Sequence, residues 1–376
     1  MDLEQLVNLR HDLHTHPELG YKEVRTSGII AALLEQWGIE VYTGLGVTGV
    51  VGILKCGSGE RMIGLRADID ALPMNDEGDK PWRSQTPGAA HTCGHDGHTV
   101  MLLGAAYKLA RDRNFDGTVC FIFQPAEEGI AGAKAMIDDG LFTRFPCDAV
   151  YALHNWPELP VGEAQTRPGA IMGAGDRFDI TVMGGGGHAA QPHLSRDTLL
   201  ATSELVVQLN TIVARNIHPG ESAVLTVAKI QGGFSHNMIP AKAEITGTVR
   251  TLNLDVQDII EHRVHQLAEH VTAAHGLTAS VKYTRYYPAT VNSEEECMLA
   301  LQAAGDAGMQ TNIAPYAALT SEDFAFMLRE KPGAYIWLGS APSYPLHHSK
   351  FDFNDNLIPL GIEWFTCLIS RELSRG

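Results

Sequence analysis

Residue types that bind metal ions and transfer protons stand together at several points in this chain. Cys93 and His95 belong to the segment HTCGHDGH. Glu127 and Glu128 follow one apolar run, and His154 follows another. Adjacent carboxylates repel each other unless a cation or a shared proton intervenes. Thiolate, imidazole and carboxylate groups together suit Zn²⁺, with Mn²⁺ and Co²⁺ as alternatives, and we therefore predict a divalent metal centre.

Apolar runs alternate with helical periodicities around these residues. Strands are predicted at 50–54, 62–65, 118–123 and 149–153, and helices at 3–14, 26–37, 98–112 and 132–140. This alternation indicates an α/β fold with an open, mostly parallel sheet and helices on both faces. Ligands bind beyond the carboxyl ends of such strands, so the sheet would position the predicted metal centre.

The residue pattern changes near residue 175, where half-exposed strands replace fully apolar ones. The chain there has strands at 179–182, 223–227, 243–249 and 280–283 and helices at 195–214 and 255–275. This β-α-β-β-α-β order is typical of a ferredoxin-like α+β unit. After Pro288 the α/β pattern returns, with a helix at 294–308, a strand at 334–339 and a helix at 359–373. We predict a catalytic domain formed by residues 1–174 and 289–376, interrupted by an inserted domain at 175–288.

The composition excludes some classes of partner. The 376 residues include 28 Lys and Arg against 44 Asp and Glu, which gives a formal net charge of −16. An acidic chain is not suited to a phosphate backbone or an anionic membrane, so neither nucleic acid nor a membrane is expected as a partner. The cysteines are scattered without a CxxC pair, and the N-terminal segment lacks the apolar stretch of a secretory signal. We therefore expect a cytoplasmic protein.

Other motif-like segments lack the context that their chemistry requires. Gly44–Gly49 matches GxGxxG but precedes a strand instead of opening a helix, so a glycine-rich loop or hairpin is expected. His11, His14 and His16 flank a helix end without metal-binding spacing. No GxSxG segment is present, which argues against a serine hydrolase.

Several longer segments match a known enzyme family in the order in which they occur. They are the stretch from Arg10 through LHTHPELG, followed by RADIDALP, HTCGHDGHT, QPAEEG, GGGGHAAQPH, HNMIPAKAEITGTVR, SEDF and LHHSKFDFND. Together they resemble the aminoacylase-type, co-catalytic metallopeptidase family. Within it the chain is similar to the branch of hippurate hydrolases, N-acyl-amino-acid amidohydrolases and auxin-conjugate hydrolases.

The resemblance implies metal ligands that can be named by position. They would hold two divalent ions per subunit, with Cys93 as the plausible bridge between them. A C-terminal histidine would complete the set, and His347 is preferred to the adjacent His348. The implied ligands are Cys93, His95, Glu128, His154 and His347.

The resemblance also implies roles in catalysis and substrate binding. Glu127 would be the general base, and His188, reaching in from a partner subunit, would polarise the substrate carbonyl. Asn237 and Arg250 would hold the substrate carboxylate. A role for His188 in a neighbouring subunit would require a homodimer or a higher homo-oligomer, formed through the inserted domain.

These roles combine into a hydrolytic mechanism. Divalent ions make water more acidic, Glu127 accepts its proton and returns it to the leaving amine, and the ions with His188 stabilise the oxyanion. Arg250 can bind a carboxylate through two parallel hydrogen bonds. We therefore predict cleavage of N-acyl amino acids to a carboxylic acid and a free amino acid.

Three alternatives remain open at this stage. The same centre could serve a dipeptidase or a deacetylase with a different acyl-amine substrate. Cys93 with His95 could form a cysteine hydrolase, which would be insensitive to chelators. A non-catalytic homologue could bind metal or a small acid, although the presence of Glu127 argues against it.

Overall fold

The computed structural model describes residues 1–374, which form two compact units. Unit 1 comprises Met1–Ile171, Thr290–Tyr316 and the chain from Asp323 onward. Unit 2 comprises Met172–Ala289 and Ala317–Glu322. The return of Ala317–Glu322 to unit 2 is a feature that the predicted boundaries do not include. In the part of the chain that is described, no helix has both the length and the apolar character needed to cross a bilayer.

The first part of the chain contains seven strands and six helices, several of them short. The strands are β1 (Glu40–Leu45), β2 (Gly49–Cys56), β3 (Met62–Asp68), β4 (Gly117–Gln124), β5 (Ala149–Pro160), β6 (Glu163–Thr166) and β7 (Gly169–Met172). The helices are α1 (Leu3–Thr15), α2 (Val24–Gln36), α3 (His95–Asp112), α4 (Glu127–Ile130), α5 (Gly132–Asp138) and α6 (Leu141–Arg144).

The middle part of the chain forms most of unit 2. Its strands are β8 (Ala174–Met183), β9 (Gly187–His188), β10 (Ala223–Gly232), β11 (Met238–Ile239), β12 (Lys242–Thr251) and β13 (Thr278–Tyr287). Its helices are α7 (Thr198–Leu209), α8 (Thr211–Asn216) and α9 (Leu254–Ala274). The final part adds β14 (Thr290–Asn292), β15 (Gln310–Ile313) and β16 (Gly333–Ala341), with α10 (Glu294–Asp306), α11 (Ala325–Glu330) and α12 (Leu357–Glu372).

Unit 1 is built on a sheet with the strand order β1-β2-β4-β3-β5-β16-β6-β15. Its central strands β4, β3, β5 and β16 run parallel, whereas β1 and β2 form an antiparallel hairpin at one edge. All eight residues of β4 are buried, as expected for a strand covered on both faces. The α/β fold predicted from the sequence is therefore confirmed, and the GxGxxG segment lies in a hairpin as expected.

Unit 2 is built on an antiparallel sheet with the strand order β10-β12-β8-β13. Its apolar core joins inward-facing strand residues such as Phe178, Ile180 and Val249 to Leu205 and Ile260 of the helices. The predicted β-α-β-β-α-β order is confirmed, since β8 leads through α7 and α8 to β10 and β12, and α9 leads to β13.

The structure differs from the sequence prediction in several elements, and the short strands β6 and β15 of the unit 1 sheet were not predicted. The predicted helix at 98–112 begins earlier, at His95. The predicted helix at 195–214 is two helices that meet at Asn210. Strand β1 was not predicted because it is largely solvent-accessible, and the sequence EVYTGL lacks a clear apolar run.

Candidate metal centre

Several residues of the candidate metal centre lie near the carboxyl ends of the parallel strands of unit 1. Asp68 ends β3, Glu127 and Glu128 follow β4, and His154 lies on β5. Helix α3 begins at His95, directly after Gly94, whose φ of 99° is accessible mainly to glycine. A side chain at position 94 would also collide with Asn155, because a Cβ there would lie 2.1 Å from Asn155 Oδ1.

The structure brings together the six unit 1 residues that were predicted from the sequence. The ligand atoms of Cys93, Glu128 and His347 lie within 4.8 Å of one another, as do those of His95, Glu127 and Glu128. Cys93 Sγ lies 3.4 Å from His154 Nε2, which attaches the sixth residue to this cluster. Cys93, His95, Glu127 and His154 are buried, whereas the His347 side chain is 53% exposed.

Two imidazoles of the cluster are oriented by backbone carbonyl groups. His95 Nδ1–H donates to the Asp70 carbonyl oxygen at 2.9 Å, and His154 Nδ1–H donates to the Asn155 carbonyl oxygen at 2.7 Å. Each ring therefore keeps the lone pair of its Nε2 for a ligand, as metal-binding histidines commonly do. His154 Nε2 faces Cys93, and His95 Nε2 lies 4.0 Å from Glu128 Oε1.

The donor set fits divalent cations on this structural evidence. His95 Nε2 and Glu128 Oε1 are buried and make no hydrogen bond within residues 1–374. Buried polar atoms nearly always have a partner, so two such atoms facing each other point to a bound cation. A thiol, imidazoles and a carboxylate are ligands that Zn²⁺ accepts, and Cys93 lies near both Glu128 and His154.

The electrostatics of the cluster also favour a cation. Burial raises the pKa of the Cys93 thiol well above its usual value, and the carboxylates of Glu128 and Glu127 raise it further. Burial lowers the pKa of His95, but Asp68 and Asp70 outweigh this and raise it to about 10. The excess negative charge thus favours the protonated forms of Cys93 and His95, and bound cations would displace these protons.

The same electrostatics argue against a cysteine hydrolase. A nucleophilic cysteine needs a lowered pKa, so that the thiolate is populated near neutral pH. Burial raises the pKa of Cys93 well above its usual value, and the carboxylates of Glu128 and Glu127 raise it further, so the neutral thiol is favoured. The Cys93–His95 alternative therefore lacks support.

Asp68 and His98 lie in the centre, although they were not predicted as site residues. The ligand atoms of Asp68, His95, His98 and His154 lie within 4.8 Å of one another. Asp68 accepts from Arg66 Nη1 at 2.7 Å and from His98 Nδ1–H at 2.6 Å. Burial raises the pKa of Asp68, but His95, Arg66 and His98 outweigh it and lower the pKa well below its usual range. Asp68 thus supports the imidazoles as a carboxylate anion.

The turn that carries Glu127 and Glu128 is held by two buried carboxylates. Ala126 has a φ of 54°, a conformation that costs a non-glycine residue roughly 1 kcal/mol. Its backbone N–H donates to Glu23 at 2.9 Å, and the Glu128 N–H donates to Asp70 at 3.0 Å. These contacts stabilise a strained turn that directs both glutamates toward the cluster.

His347, not His348, faces the metal cluster. His347 Nε2 lies 3.3 Å from Glu128 Oε1, and its backbone N–H donates to the Thr92 carbonyl oxygen at 2.8 Å. The His348 ring instead stacks on Tyr344 at a centroid distance of 4.6 Å. The backbone of His347 is also in the left-handed region, with a φ of 64°. The geometry favours His347 as the ligand over its neighbour.

The three predicted residues of unit 2 occupy two places in its fold. His188 and Asn237 are exposed neighbours on the β9–β11 ribbon, where Ala189 N–H donates to the Asn237 carbonyl oxygen. Arg250 lies near the other end of β12 and packs over the Tyr286 ring. The strand from Lys242 to Arg250 spans about 26 Å, so one copy of unit 2 does not bring Arg250 to His188.

A buried charged cluster supports the start of α3. It consists of Arg10, His14 and Asp96, and we call it the Asp96 cluster. Asp96 accepts from His14 Nδ1–H at 2.8 Å and from Arg10 Nη1 at 3.3 Å. Asp76 lies 3.5 Å from the other His14 nitrogen. The sequence analysis did not predict this cluster, because Asp96 lies 86 residues from Arg10 in the chain.

Comparisons with known proteins agree with this geometry. The chain matches the peptidase family described as M20/M25/M40 over residues 64–371. It is 38% identical to a hippurate hydrolase of Campylobacter jejuni over 378 residues, covering 99% of this chain and 98% of that one. It is 39% identical to an N-acetyl-L-cysteine deacetylase of Bacillus subtilis over 356 residues, covering 94% of this chain and 85% of that one.

A solved structure extends the similarity to three dimensions. The YXEP protein of Bacillus subtilis, described as a dinuclear metal-binding peptidase of the M20 family, superposes with a TM-score of 0.88 at 33% identity. The match covers 99% of this chain and 98% of that protein. These similarities confirm the resemblance inferred from the motifs, and they support divalent metal binding.

Replacing His14 should change how stability depends on pH. Burial lowers the pKa of His14, but Asp96 and Asp76 outweigh it and raise the pKa to about 9, above the ordinary histidine value of 6.5. This stabilisation is therefore complete below pH 6.5 and is lost as pH rises through 9. It amounts to something on the order of 3 kcal/mol. Chemical unfolding of chelator-treated protein should show this loss in the wild type and not in His14→Asn.

His16, which follows the same helix and has a side chain that is 44% exposed, provides a control. His16→Asn should keep the wild-type pH dependence. An unchanged pH dependence in His14→Asn would contradict the charged state assigned to His14.

Replacing Cys93 with alanine should lower metal content. The substitution removes the thiol between Glu128 and His154, and the expected change is from about two ions per chain to about one or fewer. Metal analysis after dialysis against zinc or manganese provides the measurement. Cys147→Ala removes an equally buried thiol that lies beside Cys120, and it should leave the metal content unchanged. Equal metal content in both variants would exclude Cys93 as a ligand.

Proposed function

The chain belongs to peptidase family M20/M25/M40, and from this premise we propose that it is a metal-dependent amidohydrolase of N-acyl amino acids. The reaction hydrolyses the amide bond and releases a carboxylic acid and a free amino acid. Relatives named hippurate hydrolase and N-acetyl-L-cysteine deacetylase support this substrate class. The observation that carries the proposal is the cluster in which Cys93 lies beside His154 Nε2 and Glu128, and Glu128 Oε1 in turn faces His95 Nε2.

The proposal assigns the metal ligands that the motifs implied. Cys93, Glu128 and His347 would hold one cation, and Cys93 with His95 and His154 would hold the second. Zn²⁺ suits these donors, and Mn²⁺ and Co²⁺ are alternatives. When bound, such cations supply Lewis acidity, which makes water more acidic and polarises a carbonyl oxygen.

Glu127 is proposed to move the proton during amide cleavage. Its carboxylate is buried, and it lies in the same group of ligand atoms as His95 and Glu128. Glu127 accepts a proton from the attacking water and delivers it to the amide nitrogen, so that the amine leaves as a neutral group. Asp70 supports this role by holding the adjacent Glu128 backbone and the His95 ring.

His188 is proposed to stabilise the oxyanion from a neighbouring subunit. Its Nδ1 accepts from the Ala190 backbone N–H at 3.1 Å, so Nε2 carries the proton. The ring is exposed on the β9–β11 ribbon, so its Nε2–H can donate to a substrate carbonyl oxygen. Asn237, on the same ribbon, and Arg250 would bind the substrate carboxylate.

A homodimer through unit 2 is part of the proposal. Strand β10 lies at the edge of its sheet, and its outer side has no paired strand in the described chain. Helix α7, which packs against β10, exposes Leu199, Leu200 and Val207. An open strand edge next to exposed apolar side chains suits pairing with a second copy.

A cytoplasmic location also belongs to the proposal. The cysteines are thiols and form no disulfide within residues 1–374, as expected in a reducing compartment. The acidic composition gives no reason to expect nucleic acid as a partner.

A panel of substrates tests the function directly. N-acetyl, N-benzoyl and indole-acetyl amino acids should be hydrolysed by metal-loaded protein, whereas the same compounds with an amidated carboxyl group should not. Glu127→Gln should reduce kcat by a factor of about 10⁴ or more, because water and amine then lack their proton carrier. Metal content should remain close to that of the wild type.

The surface variant Glu163→Gln, on strand β6, serves as the matched control and should keep full activity. Retained turnover in Glu127→Gln would eliminate the proposed base. Hydrolysis of dipeptides in preference to every N-acyl amino acid would instead favour the dipeptidase alternative.

Mixing two inactive variants tests the role of His188 in a neighbouring subunit. Glu127→Gln and His188→Ala homodimers should each be inactive. After subunit exchange, a mixed dimer has one site with both groups intact, so the mixture should recover roughly a quarter of wild-type activity.

Exchange should be verified by native mass spectrometry of differently tagged chains. If mixed dimers form and activity does not return, His188 does not act across the subunit interface.

A further inference from the structure

We propose that Arg10 is a positioning residue that joins the two chain segments carrying His95 and His347. The inference deepens the proposed function, because it concerns the support of the same metal centre. Arg10 is fully buried, and its guanidinium has hydrogen-bond donors but no lone pair for a cation, so it cannot itself be a metal ligand. Its role would be to hold two ligands, distant in sequence, at a fixed separation.

Arg10 contacts carboxylates from both ligand-bearing segments. Its Nη1 lies 3.3 Å from Asp96, the residue directly after His95. Asp352 and Asp355, from the segment that follows His347, lie 2.9 Å from Nη1 and 2.8 Å from Nε. One guanidinium therefore links the start of α3 to the loop that contains and follows His347, which we call the His347 loop.

Charge and geometry both favour arginine at this position. Burial lowers the pKa of Arg10, but Asp96, Asp352 and Asp355 outweigh this and raise it. The planar guanidinium presents donors in several directions, which a single ammonium group cannot do. Arg10 can thus bind carboxylates of two segments at once and remain charged.

The position of Arg10 is itself set by apolar packing. Helix α1 packs against α3 and α12, and its residues Leu6 and Leu13 belong to the core of unit 1. Arg10 lies between them on the helix, so its guanidinium is directed by a rigid element. The metal centre would therefore depend on the N-terminal helix, which contains no proposed ligand.

The two ligands differ in how much other support they have. His95 is also held by Asp70, and Asp96 is also held by His14. His347 lies on a loop in the left-handed conformation, with its backbone held at Thr92. Beyond it, Ser349 contacts Glu77. Loss of Arg10 should consequently affect the cation bound by His347 more than the cation bound by His95.

Metal affinity provides a test that does not depend on turnover. Full-length Arg10→Met should be titrated with Co²⁺ against a competing chelator, with thiolate-to-cobalt absorption as the signal from Cys93. We expect one of the two cobalt affinities, that of the site that includes His347, to fall by about 10- to 100-fold, the range found when supporting contacts of metal ligands are removed. Arg10→Lys should recover part of this loss, since it keeps the charge and loses the planar fork.

Arg25→Met is the matched control. Arg25 lies on α2 and pairs through two hydrogen bonds with Asp12, so its removal also breaks an arginine–carboxylate pair, but outside the metal centre. Both of its cobalt affinities should stay within about twofold of the wild-type values. Arg10→Met affinities that match those of Arg25→Met would overturn the proposal, even if Arg10→Met unfolds more easily.

A second variant decides the question if Arg10→Met does not fold. Asp352→Asn with Asp355→Asn removes the carboxylates on the His347 side, both partly exposed, and leaves Arg10 paired with Asp96. The same cobalt affinity, that of the site that includes His347, should fall by at least about fivefold. Two unchanged affinities in this double variant would refute the link between Arg10 and the His347 loop.

The outcome can be separated from that of the proposed function. If wild-type protein binds two cobalt ions without hydrolysing any N-acyl amino acid, the proposed substrate class fails and the role of Arg10 can still be measured. If wild-type protein is active and the Arg10 variants bind metal normally, the role of Arg10 alone is refuted.

Discussion

Neutralisation of buried negative charge is the constraint on which the centre depends. Asp68 and Asp96 are fully buried, and an uncompensated buried carboxylate costs several kcal/mol. Protein cations compensate both, since Arg66 pairs with Asp68, and Arg10 and His14 pair with Asp96. Glu128 Oε1, in contrast, makes no hydrogen bond among residues 1–374 and lies near two imidazole nitrogens. The carboxylates of Asp68 and Asp96 are thus neutralised by cationic side chains of the protein, whereas the carboxylate of Glu128 is suited to a bound metal cation.

The backbone around the cluster is shaped by the same requirement. Gly94, Ala126 and His347 all adopt positive φ angles, and each lies at or next to a proposed ligand or base. Glycine adopts such a conformation without strain, whereas at Ala126 and His347 it persists only because the surroundings enforce it. Here the enforcing contacts are largely polar, as with Glu23 on the Ala126 backbone. Burial of charge and strain of the backbone therefore occur together, because the carboxylates that need partners also hold the strained turns.

The sequence predicted the elements and ligands whose signals are local. The adjacency of Glu127 and Glu128 after an apolar strand indicated a cation on local grounds, whereas His95 was implied as a ligand by the resemblance of its motif to a known family. Arg10, His14 and Asp96 could not be found in this way, since Arg10 and Asp96 are 86 residues apart and local patterns carry no information on such pairing. Charged residues are rarely fully buried, so periodicity alone placed Arg10 and His14 on a helix without revealing their burial. Strand β1 was not predicted because most of its residues are solvent-accessible, so its sequence shows no clear alternation of apolar and polar residues.

The geometry of unit 2 bears on how many chains would form one substrate-binding site. His188 and Asn237 lie on a ribbon beyond one end of the sheet, and Arg250 lies near the other end. The carbonyl oxygen and the carboxylate of an N-acyl amino acid are separated by only a few bonds, whereas these side chains are separated by most of a strand. If Arg250 and His188 bind the same substrate molecule, they must therefore belong to different chains. The separation follows from the length of the extended strand β12, about 26 Å from Lys242 to Arg250, which exceeds what a change of side-chain conformation can span. On this reasoning, association of two chains would be a chemical requirement of the proposed reaction as well as a source of stability.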